Sequence, residues 1–259
     1  MRSLYTQIGP NIAIQQGVII NGCIADKCKE NVSGIIITPR CDIGNGGKVS
    51  TIHYLPVIKI EDWIKSYVLP EALVAEKDKL TKLLEEQKHS SKILDVIKEP
   101  AVERLKLKNR TLQDRLKNYI QARDSVKYGK EIIGYIDNEL AKLVANNHNR
   151  YYLIEDWHDP SPLNHYVIIL REIKRMDLEF ATTYTKGFQS KLINEEVAKA
   201  NDVAVVPYSF DYQTLCEIGS PYIEHILQQF SHNFCRIGVE ELERNATKKL
   251  YNIEKIINQ

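Results

Sequence analysis

A guanidinium, a thiol and a carboxylate stand side by side near the start of this 259-residue chain, at Arg40, Cys41 and Asp42. They follow the apolar run Ile35–Ile37, which is typical of a buried strand. Pro39 limits how far that strand can extend, because proline has no N–H to donate to a ladder. With His53 as a base, the three side chains are candidates for nucleophilic or general acid–base catalysis.

A structural role for the same turn is the main alternative. Asp42 would then bond to nearby backbone, as Asx residues do in turns, and Arg40 would pair with its carboxylate. His158 and His165 are the other histidines that could serve as a base. The sequence leaves open whether the turn is catalytic, binds a ligand or only shapes the chain.

Three cysteines and a histidine in this region are weak candidates for a zinc site. Cys23, Cys28 and Cys41 are followed by His53, and thiolate and imidazole are ligands that zinc prefers. Their spacing is wider than that of typical zinc pairs, and buried cysteines also behave as small apolar residues. We therefore expect neither a metal nor a cofactor.

Composition excludes several classes of protein. The net charge is +1, and hydrophobic residues make up 43% of the chain, as in ordinary globular proteins. No apolar run approaches the length of a membrane span, and five widely spaced cysteines favour the reducing cytoplasm. The chain contains no P-loop, dinucleotide-binding, zinc-protease or nucleophile-elbow motif.

Glycine usage divides the chain into β-rich and helical parts. Seven of the twelve glycines lie before position 48, and none lies between Gly47 and Gly129. Short β-branched segments before Asp62 predict three strands, at 17–21, 33–38 and 49–59. From Asp62 to about Asn146, apolar residues recur at three- and four-residue steps, which indicates amphipathic helices, and Pro100 interrupts them.

Strands return after Arg150, and the chain ends in helices. Segments 151–154, 165–173, 180–184 and 203–206 are the predicted strands, and Pro221 suits the first turn of the next helix. We predict an α+β fold: a small β-barrel formed by 1–61 and 150–218, interrupted by a helical hairpin at 62–149. C-terminal helices occupy 219–259. The strands on the two sides of the hairpin should pair.

The helical segment is locally basic. Between Lys98 and Lys130 there are ten Lys or Arg residues and four acids, a balance that suits contacts with phosphates. A solvated helix face is the alternative. The candidate residues for binding nucleic acid are Arg104, Lys106, Lys108, Arg110, Arg115 and Lys117.

The early strands resemble the SH3-like barrel of the MazF/PemK toxin family. The matching features are Gly17 at the first strand, Thr38-Pro39 at the end of the second and Tyr54-Leu-Pro-Val57 in the third. The resemblance covers only the residues before Asp62 and implies an endoribonuclease. Cys41-Asp42 replaces the usual loop of that family, and a helical arm follows instead.

A second resemblance is to uncharacterised bacterial proteins with a Ser/Thr-x-x-Cys-Asp strand end and a terminal Ser-Pro-x-x-Glu…Arg-x-Gly helix. Here these features are Thr38–Asp42, Ser220–Glu224 and Arg236–Gly238. Such proteins look like companions of ATPases in mobile or phage-defence loci.

Two functions from different classes follow. The first is an accessory protein of a defence or toxin–antitoxin-type locus, which binds a protein partner such as an ATPase or nuclease or forms a homodimer through its helical arm. The second is a MazF-like endoribonuclease or nucleic-acid-binding protein. We expect no membrane partner in either case.

Overall fold

The structure is a computed structural model that describes residues 4–44, 49–93, 130–157, 165–183, 188–189, 195–204 and 211–235. Its strands are β1 (Tyr5–Ile8), β2 (Val18–Cys23), β3 (Val32–Ile36), β4 (Thr51–Lys59), β5 (Tyr151–Glu155), β6 (His165–Ile169), β7 (Lys174–Asp177), β8 (Phe188–Gln189), β9 (Asp211–Tyr212) and β10 (Thr214–Ile218). Eight of them form one antiparallel sheet in the order β1-β10-β2-β3-β4-β6-β5, with β7 also paired to β4. β8 and β9 form a separate pair.

The large sheet curves into a half-barrel. Its two outer strands are β1 and β5, and the hydroxyl of Tyr5 on β1 donates to the backbone oxygen of Glu155 on β5. Adjacent strands lie about 4.8 Å apart, so the two edge strands of a flat sheet of this width would be too far apart to bond. The contact between β1 and β5 therefore requires the sheet to curl.

Both faces of the sheet are buried, which explains its unusually apolar strands. Successive side chains of a strand point to opposite faces. Ile19 and Ile35 therefore lie in one core cluster, while Ile20 and Ile36 lie in another. Helices cover both faces, so these strands show no alternation of apolar and polar residues.

β4 changes partners along its length. Its first half, 51–54, pairs with β7, and its second half, 57–59, pairs with β6. The chain leaves the sheet between these two strands, at a turn that contains Glu172. Because of this turn, the long strand β4 pairs with two shorter strands, β6 and β7.

In the described part of the interval between β4 and β5, the chain is largely helical. The helices there are α2 (Ile60–Trp63), a π-helical turn (Ile64–Val68), α3 (Leu69–Ile93) and α4 (Lys130–Val144). The other helices are α1 (Arg40–Gly44), α5 (Leu178–Thr182), α6 (Glu195–Ala200) and α7 (Tyr222–Cys235). None of the helices in the described ranges is long and apolar enough to cross a bilayer.

One predicted element has the wrong type. The segment 180–184 was predicted to be a strand, but Leu178–Thr182 is helical. Thr182 and Thr183 donate their hydroxyls to backbone oxygens three residues earlier, which satisfies groups that a strand would have paired with a neighbour. The predicted strand at 203–206 is reduced to a single bridge between Val203 and Cys23 in the described residues.

The α+β class is confirmed, and several elements agree with their predicted positions. α4 lies within the segment 62–149 that was predicted to be helical. α7 begins one residue after Pro221, which suits the first turn of a helix, and packs in the core through Ile223 and Ile226. β2 and β4 pair with strands that follow Arg150, so strands from the two sides of the helical segment share one sheet.

Candidate functional site

The first side chain of α1, that of the exposed Arg40, forms an ion pair with a buried carboxylate. Nη2 of Arg40 donates to Oε1 of Glu217 on β10 over 2.8 Å, and Nε2 of Gln15 donates to the same oxygen over 2.9 Å. Glu217 is only 4% exposed, so its carboxylate has lost most of its water and depends on these donors. Arg40 therefore ties α1 to β10.

The predicted pairing of Arg40 with Asp42 is wrong. Oδ1 of Asp42 instead lies 3.4 Å from the thiol of Cys41, which donates to it. The physical reason is burial. An unpaired carboxylate costs more free energy when it is removed from water than when water still reaches it. Glu217 is buried and Asp42 is only half-buried, so Arg40 pairs with Glu217.

His53 lies beside this helix in the fold, but it joins the structure through its backbone. Its N–H donates to Oγ1 of Thr38 over 2.7 Å, and its carbonyl accepts from the N–H of Ile37. The imidazole is exposed and makes no hydrogen bond to another described residue. Arg40, Cys41, Asp42 and His53 thus share one end of β3 and β4 without forming a connected catalytic set.

The candidate zinc ligands have three different environments. Cys23 is fully buried, and burial raises the pKa of its thiol. Cys28 is half-buried and Cys41 is exposed. Within the described part of the chain, no group of three His, Cys, Asp or Glu side chains is arranged to hold a metal ion.

Of the remaining candidate residues, only His165 lies within the described part of the chain. His165 lies on β6 opposite Glu155. His158 and the six basic candidates for binding nucleic acid lie outside the described residues. Those six are Arg104, Lys106, Lys108, Arg110, Arg115 and Lys117.

A forked ion pair joins the helical segment to the sheet. Nη1 and Nη2 of Arg150, just before β5, donate to the two carboxylate oxygens of Glu71 on α3 over 2.9 and 2.8 Å. The guanidinium also lies over the ring of Tyr151, 5.2 Å from its centroid. Two parallel bonds to a planar fork fix direction as well as distance.

A buried histidine makes the second connection. Nε2 of His148 lies 2.8 Å from Oε2 of Glu139 on α4, and Nδ1 of the same ring accepts from the backbone N–H of Arg150 over 3.2 Å. Since Nδ1 must be unprotonated to accept, Nε2 carries the proton and donates to Glu139. Both ring nitrogens are therefore occupied, and His148 has none left with which to act as a base.

The protonation of this pair follows from its surroundings. Burial lowers the pKa of His148 and outweighs the opposing attraction of Glu139. Burial raises the pKa of Glu139, but hydrogen bonds from Lys142 and His148 outweigh it, so the net shift is downward. At neutral pH the pair is thus a neutral imidazole bonded to a carboxylate, and Nζ of Lys142 lies 2.6 Å from the other oxygen of Glu139.

A third connection involves the turn between β6 and β7. The hydroxyl of Tyr67 in the π-helical turn donates to Oε1 of Glu172 over 2.6 Å. The other carboxylate oxygen accepts from the backbone N–H of Asp26 over 2.8 Å. Glu172 thus bridges the helical segment and the loop after β2. We call these three connections, Arg150–Glu71, His148–Glu139 and Tyr67–Glu172, the clamp.

Next to the clamp is an open pocket of about 340 Å³ between the end of α4 and helix α7. Its lining consists of six carboxamides and three imidazoles. The carboxamides are those of Asn146, Asn147, Asn149, Gln228, Gln229 and Asn233. The imidazoles are those of His148, His225 and His232.

Hydrogen bonds hold several of these side chains in place. Nε2 of Gln229 donates to the backbone oxygen of Asn146 over 3.1 Å, which joins α7 to the loop after α4. Nδ1 of His225 lies 3.0 Å from the hydroxyl of Tyr152 on β5. Asn233, only 7% exposed, donates from Nδ2 to the backbone of Gln229. The pocket is built before any ligand arrives.

Sequence reasoning missed both the clamp and the pocket. His225 and His232 are seven positions apart, a spacing that puts both on one face of a helix, and both are exposed on α7, but the sequence gives that face no partner. The available signal was the uninterrupted polar run Asn146–Asn149 between an amphipathic helix and a strand. Such a run has no glycine or proline to mark an ordinary turn.

No known protein family, no curated protein and no solved structure matches this chain.

Proposed function

We propose that this chain is a binding protein of a bacterial defence or toxin–antitoxin-type locus, which presents a helical arm to a protein partner such as an ATPase or nuclease of the same locus. The arm comprises α3, α4 and the residues between them. The single observation that carries the proposal is the clamp, which fixes the base of the arm to the sheet.

The clamp supports a mechanical role for the base of the arm. Glu71 lies on α3 and Glu139 on α4, and both connect to the segment just before β5, through Arg150 and His148. A helix that only covered the core would need apolar packing alone, as most helices do. Directional polar contacts at the base fix the orientation of the arm before binding. Such pre-organisation lowers the conformational entropy that is lost when a partner binds.

Exposed apolar side chains on both helices supply contact area. Val74 on α3 is 58% exposed, and on α4 Ile133 and Val144 are 50% and 66% exposed. Single exposed apolar residues are common on protein surfaces. On the arm they provide area that a partner, or a second copy of the chain in a homodimer, would bury.

The fold itself also bears on the proposal. We interpret the half-barrel as an SH3-like barrel that the arm interrupts, in keeping with the resemblance of its first strands to MazF and PemK. The contact between Tyr5 and Glu155 at opposite edges of the sheet supports a barrel-like closure. Binding of a partner, rather than catalysis, suits such a domain. The guanidinium of Arg40, a candidate catalytic group, is already paired with the buried carboxylate of Glu217.

The test is co-expression of the full chain with the products of its neighbouring genes, followed by affinity capture and light scattering. The proposal expects a defined complex with one of them or a homodimer. The variant Arg150→Met should weaken that complex, whereas Lys79→Met should not. Lys79 pairs with Glu76 on the same helix but lies outside the clamp. A monomer that captures none of these products contradicts the proposal.

A second candidate function is nucleic-acid binding, with endoribonuclease activity as its stronger form. It rests on the ten basic residues against four acids between Lys98 and Lys130. Retardation of labelled RNA should then fall steeply with salt, because released counterions drive such binding. Replacing Arg110, Arg115 and Lys117 with Gln should weaken it.

Endoribonuclease activity has its own test. Expression should arrest growth, and His53→Gln should relieve the arrest if the exposed imidazole takes part in cleavage. This variant leaves folding intact, since the imidazole of His53 contributes no hydrogen bond to the described structure. No growth arrest and no retardation of RNA at low salt would contradict the second candidate.

A further inference from the structure

The pocket between the end of α4 and helix α7 has an unusual chemistry. Among the described residues that line it, every side chain is a carboxamide or an imidazole, and none is a Lys, Arg, Asp or Glu. Sites for phosphate or a carboxylate typically offer a cation or the N-terminus of a helix, and no group of side chains in the described residues is arranged to hold a metal ion. The lining instead suits an uncharged ligand with hydrogen-bonding groups along its edge.

Most hydrogen-bonding groups in the less exposed part of the lining are already bonded to the protein, while Oε1 of Gln229 is buried without a partner among the described residues. Both nitrogens of His148 are bonded, to Glu139 and to the backbone of Arg150. Gln229 and Asn233 donate to backbone oxygens. These side chains form the walls and keep their geometry, because moving any of them breaks an existing hydrogen bond.

The exposed part of the lining is free to bind. Asn147, Asn149 and Gln228 are exposed, and their carboxamides make no hydrogen bond to another described residue. Each carboxamide offers a donor and an acceptor side by side. The pocket thus combines fixed walls with adaptable carboxamides at its opening.

We propose that this pocket binds a nucleobase. Carboxamides of Asn and Gln make paired hydrogen bonds with base edges, because a base presents a donor and an acceptor at matching spacing. Imidazole rings are among the planar side chains on which unstacked bases lie, and His225 and His232 stand on the α7 side of the pocket. A volume of about 340 Å³ is at the lower end of the range for small-ligand sites, which suits a base or nucleoside.

The base could belong to a free nucleoside or to a single-stranded RNA. The chemistry that recognises it is the same in both cases, and the lining offers no cation to a phosphate. A nucleoside and its monophosphate should therefore bind equally well. This inference does not depend on the arm or on a protein partner, so it stands or fails separately from the proposed function.

The experiment is calorimetric titration of the full chain with adenosine, guanosine, cytidine, uridine, adenosine monophosphate, glucose and a single-stranded RNA of mixed sequence. The test variant is the double substitution Asn149→Leu with Gln228→Leu, which removes two free carboxamides at exposed positions. Ser231→Ala is the control on the same helix. Ser231 donates only to the backbone of Leu227 and does not line the pocket.

We expect at least one nucleoside to bind, with a Kd that the double variant raises tenfold or more and that Ser231→Ala leaves unchanged. If nucleosides fail but the RNA binds with the same sensitivity to the double variant, the source is a nucleic acid and the inference holds. The inference is overturned if no base-containing probe binds, if binding is insensitive to the double variant, or if glucose binds in place of nucleosides. Melting curves of the variants confirm that each is folded.

Discussion

Arg150 and Glu71 lie 79 positions apart in the chain and form a two-bonded ion pair, with N–O distances of 2.9 and 2.8 Å. One residue stands at the entrance to β5 and the other in the first turn of α3. The pair therefore fixes where the helical segment leaves the sheet relative to where it returns. The contributions of this ion pair and of the other polar contacts to the free energy of unfolding can be measured directly.

Breaking this fork should destabilise the protein measurably. Arg150→Met leaves the half-buried Glu71 without its two charged donors, and we expect a loss of about 1–3 kcal/mol in the free energy of unfolding. Lys79→Met is the matched control, because the exposed ammonium of Lys79 lies 3.8 Å from the buried carboxylate of Glu76 on the same helix, and one long contact from an exposed cation should contribute less than about 1 kcal/mol. Urea denaturation measures both. Equal effects of the two substitutions would show that the fork has no special role.

Acid should destabilise the protein through His148. Its pKa in the folded state lies below the ordinary value, so the unfolded chain binds the extra proton first as the pH falls. The free energy of unfolding therefore decreases as the pH falls below about 6.5, with a slope of at most about 1.4 kcal/mol per pH unit. Glu139, whose pKa is also lowered, adds a further loss below its own ordinary value of 4.5.

The variant His148→Gln isolates that contribution. A Gln side chain can still donate to Glu139 but does not titrate, so the loss of stability between pH 7 and 5 should become shallower. His53→Gln is the control, because His53 is exposed and its ring makes no hydrogen bond in the described structure. Thermal melts across this pH range give the comparison. An unchanged pH profile in His148→Gln would mean that another group causes the acid sensitivity.

Gly34 should not tolerate a side chain. A Cβ at this position on β3 would lie 2.6 Å from Cδ2 of Tyr54 and 2.7 Å from the sulfur of Cys23. Both neighbours are fully buried and cannot move aside without disturbing the core, so Gly34→Ala should cost about 1–3 kcal/mol. Gly44→Ala, with no atom within 4 Å of its Cβ, should cost nothing measurable. Chemical denaturation of the two variants provides the test.

The buried carboxylate of Glu217 should depend on Arg40. Arg40→Met leaves that charge without its cation, and we expect a loss of about 1–3 kcal/mol. Adding Glu217→Gln removes the stranded charge, so the double variant should recover part of the loss. A double variant no more stable than Arg40→Met alone would contradict the ion-pair interpretation.

Asp42→Ala separates structure from function at the same helix. Asp42 forms no ion pair in the described structure, and its carboxylate accepts only from the thiol of Cys41. We therefore expect a change in stability below about 1 kcal/mol. If Asp42→Ala and Cys41→Ser melt normally but lose partner or RNA binding, this end of β3 takes part in function. If binding persists, the residues only shape the chain.

The sequence by itself determined the elements whose signals are local. β-branched runs placed β2, β3 and β4, the step of apolar residues placed α4, and Pro221 placed the start of α7. The helix α4 is readable because periodicity reports which side of it is buried, whereas the strands are readable as short apolar runs bounded by turn residues. The helix at 178–182 escaped this logic, since Phe180, Thr182 and Thr183 favour strands in general, but the hydroxyls of Thr182 and Thr183 here donate to backbone oxygens three residues earlier.

Only the tertiary structure decided which polar groups meet. Arg40 has Asp42 two positions away, yet it pairs with Glu217, 177 positions distant. The reason is that the carboxylate of Glu217 is buried, so a neighbouring cation stabilises it more than it would stabilise that of Asp42. Likewise, Asn146 and Gln229 form one pocket only because α7 packs against the loop after α4. A sequence pattern shows that a side chain can donate or accept. Which partner it finds depends on how the chain folds and on which groups that folding removes from water.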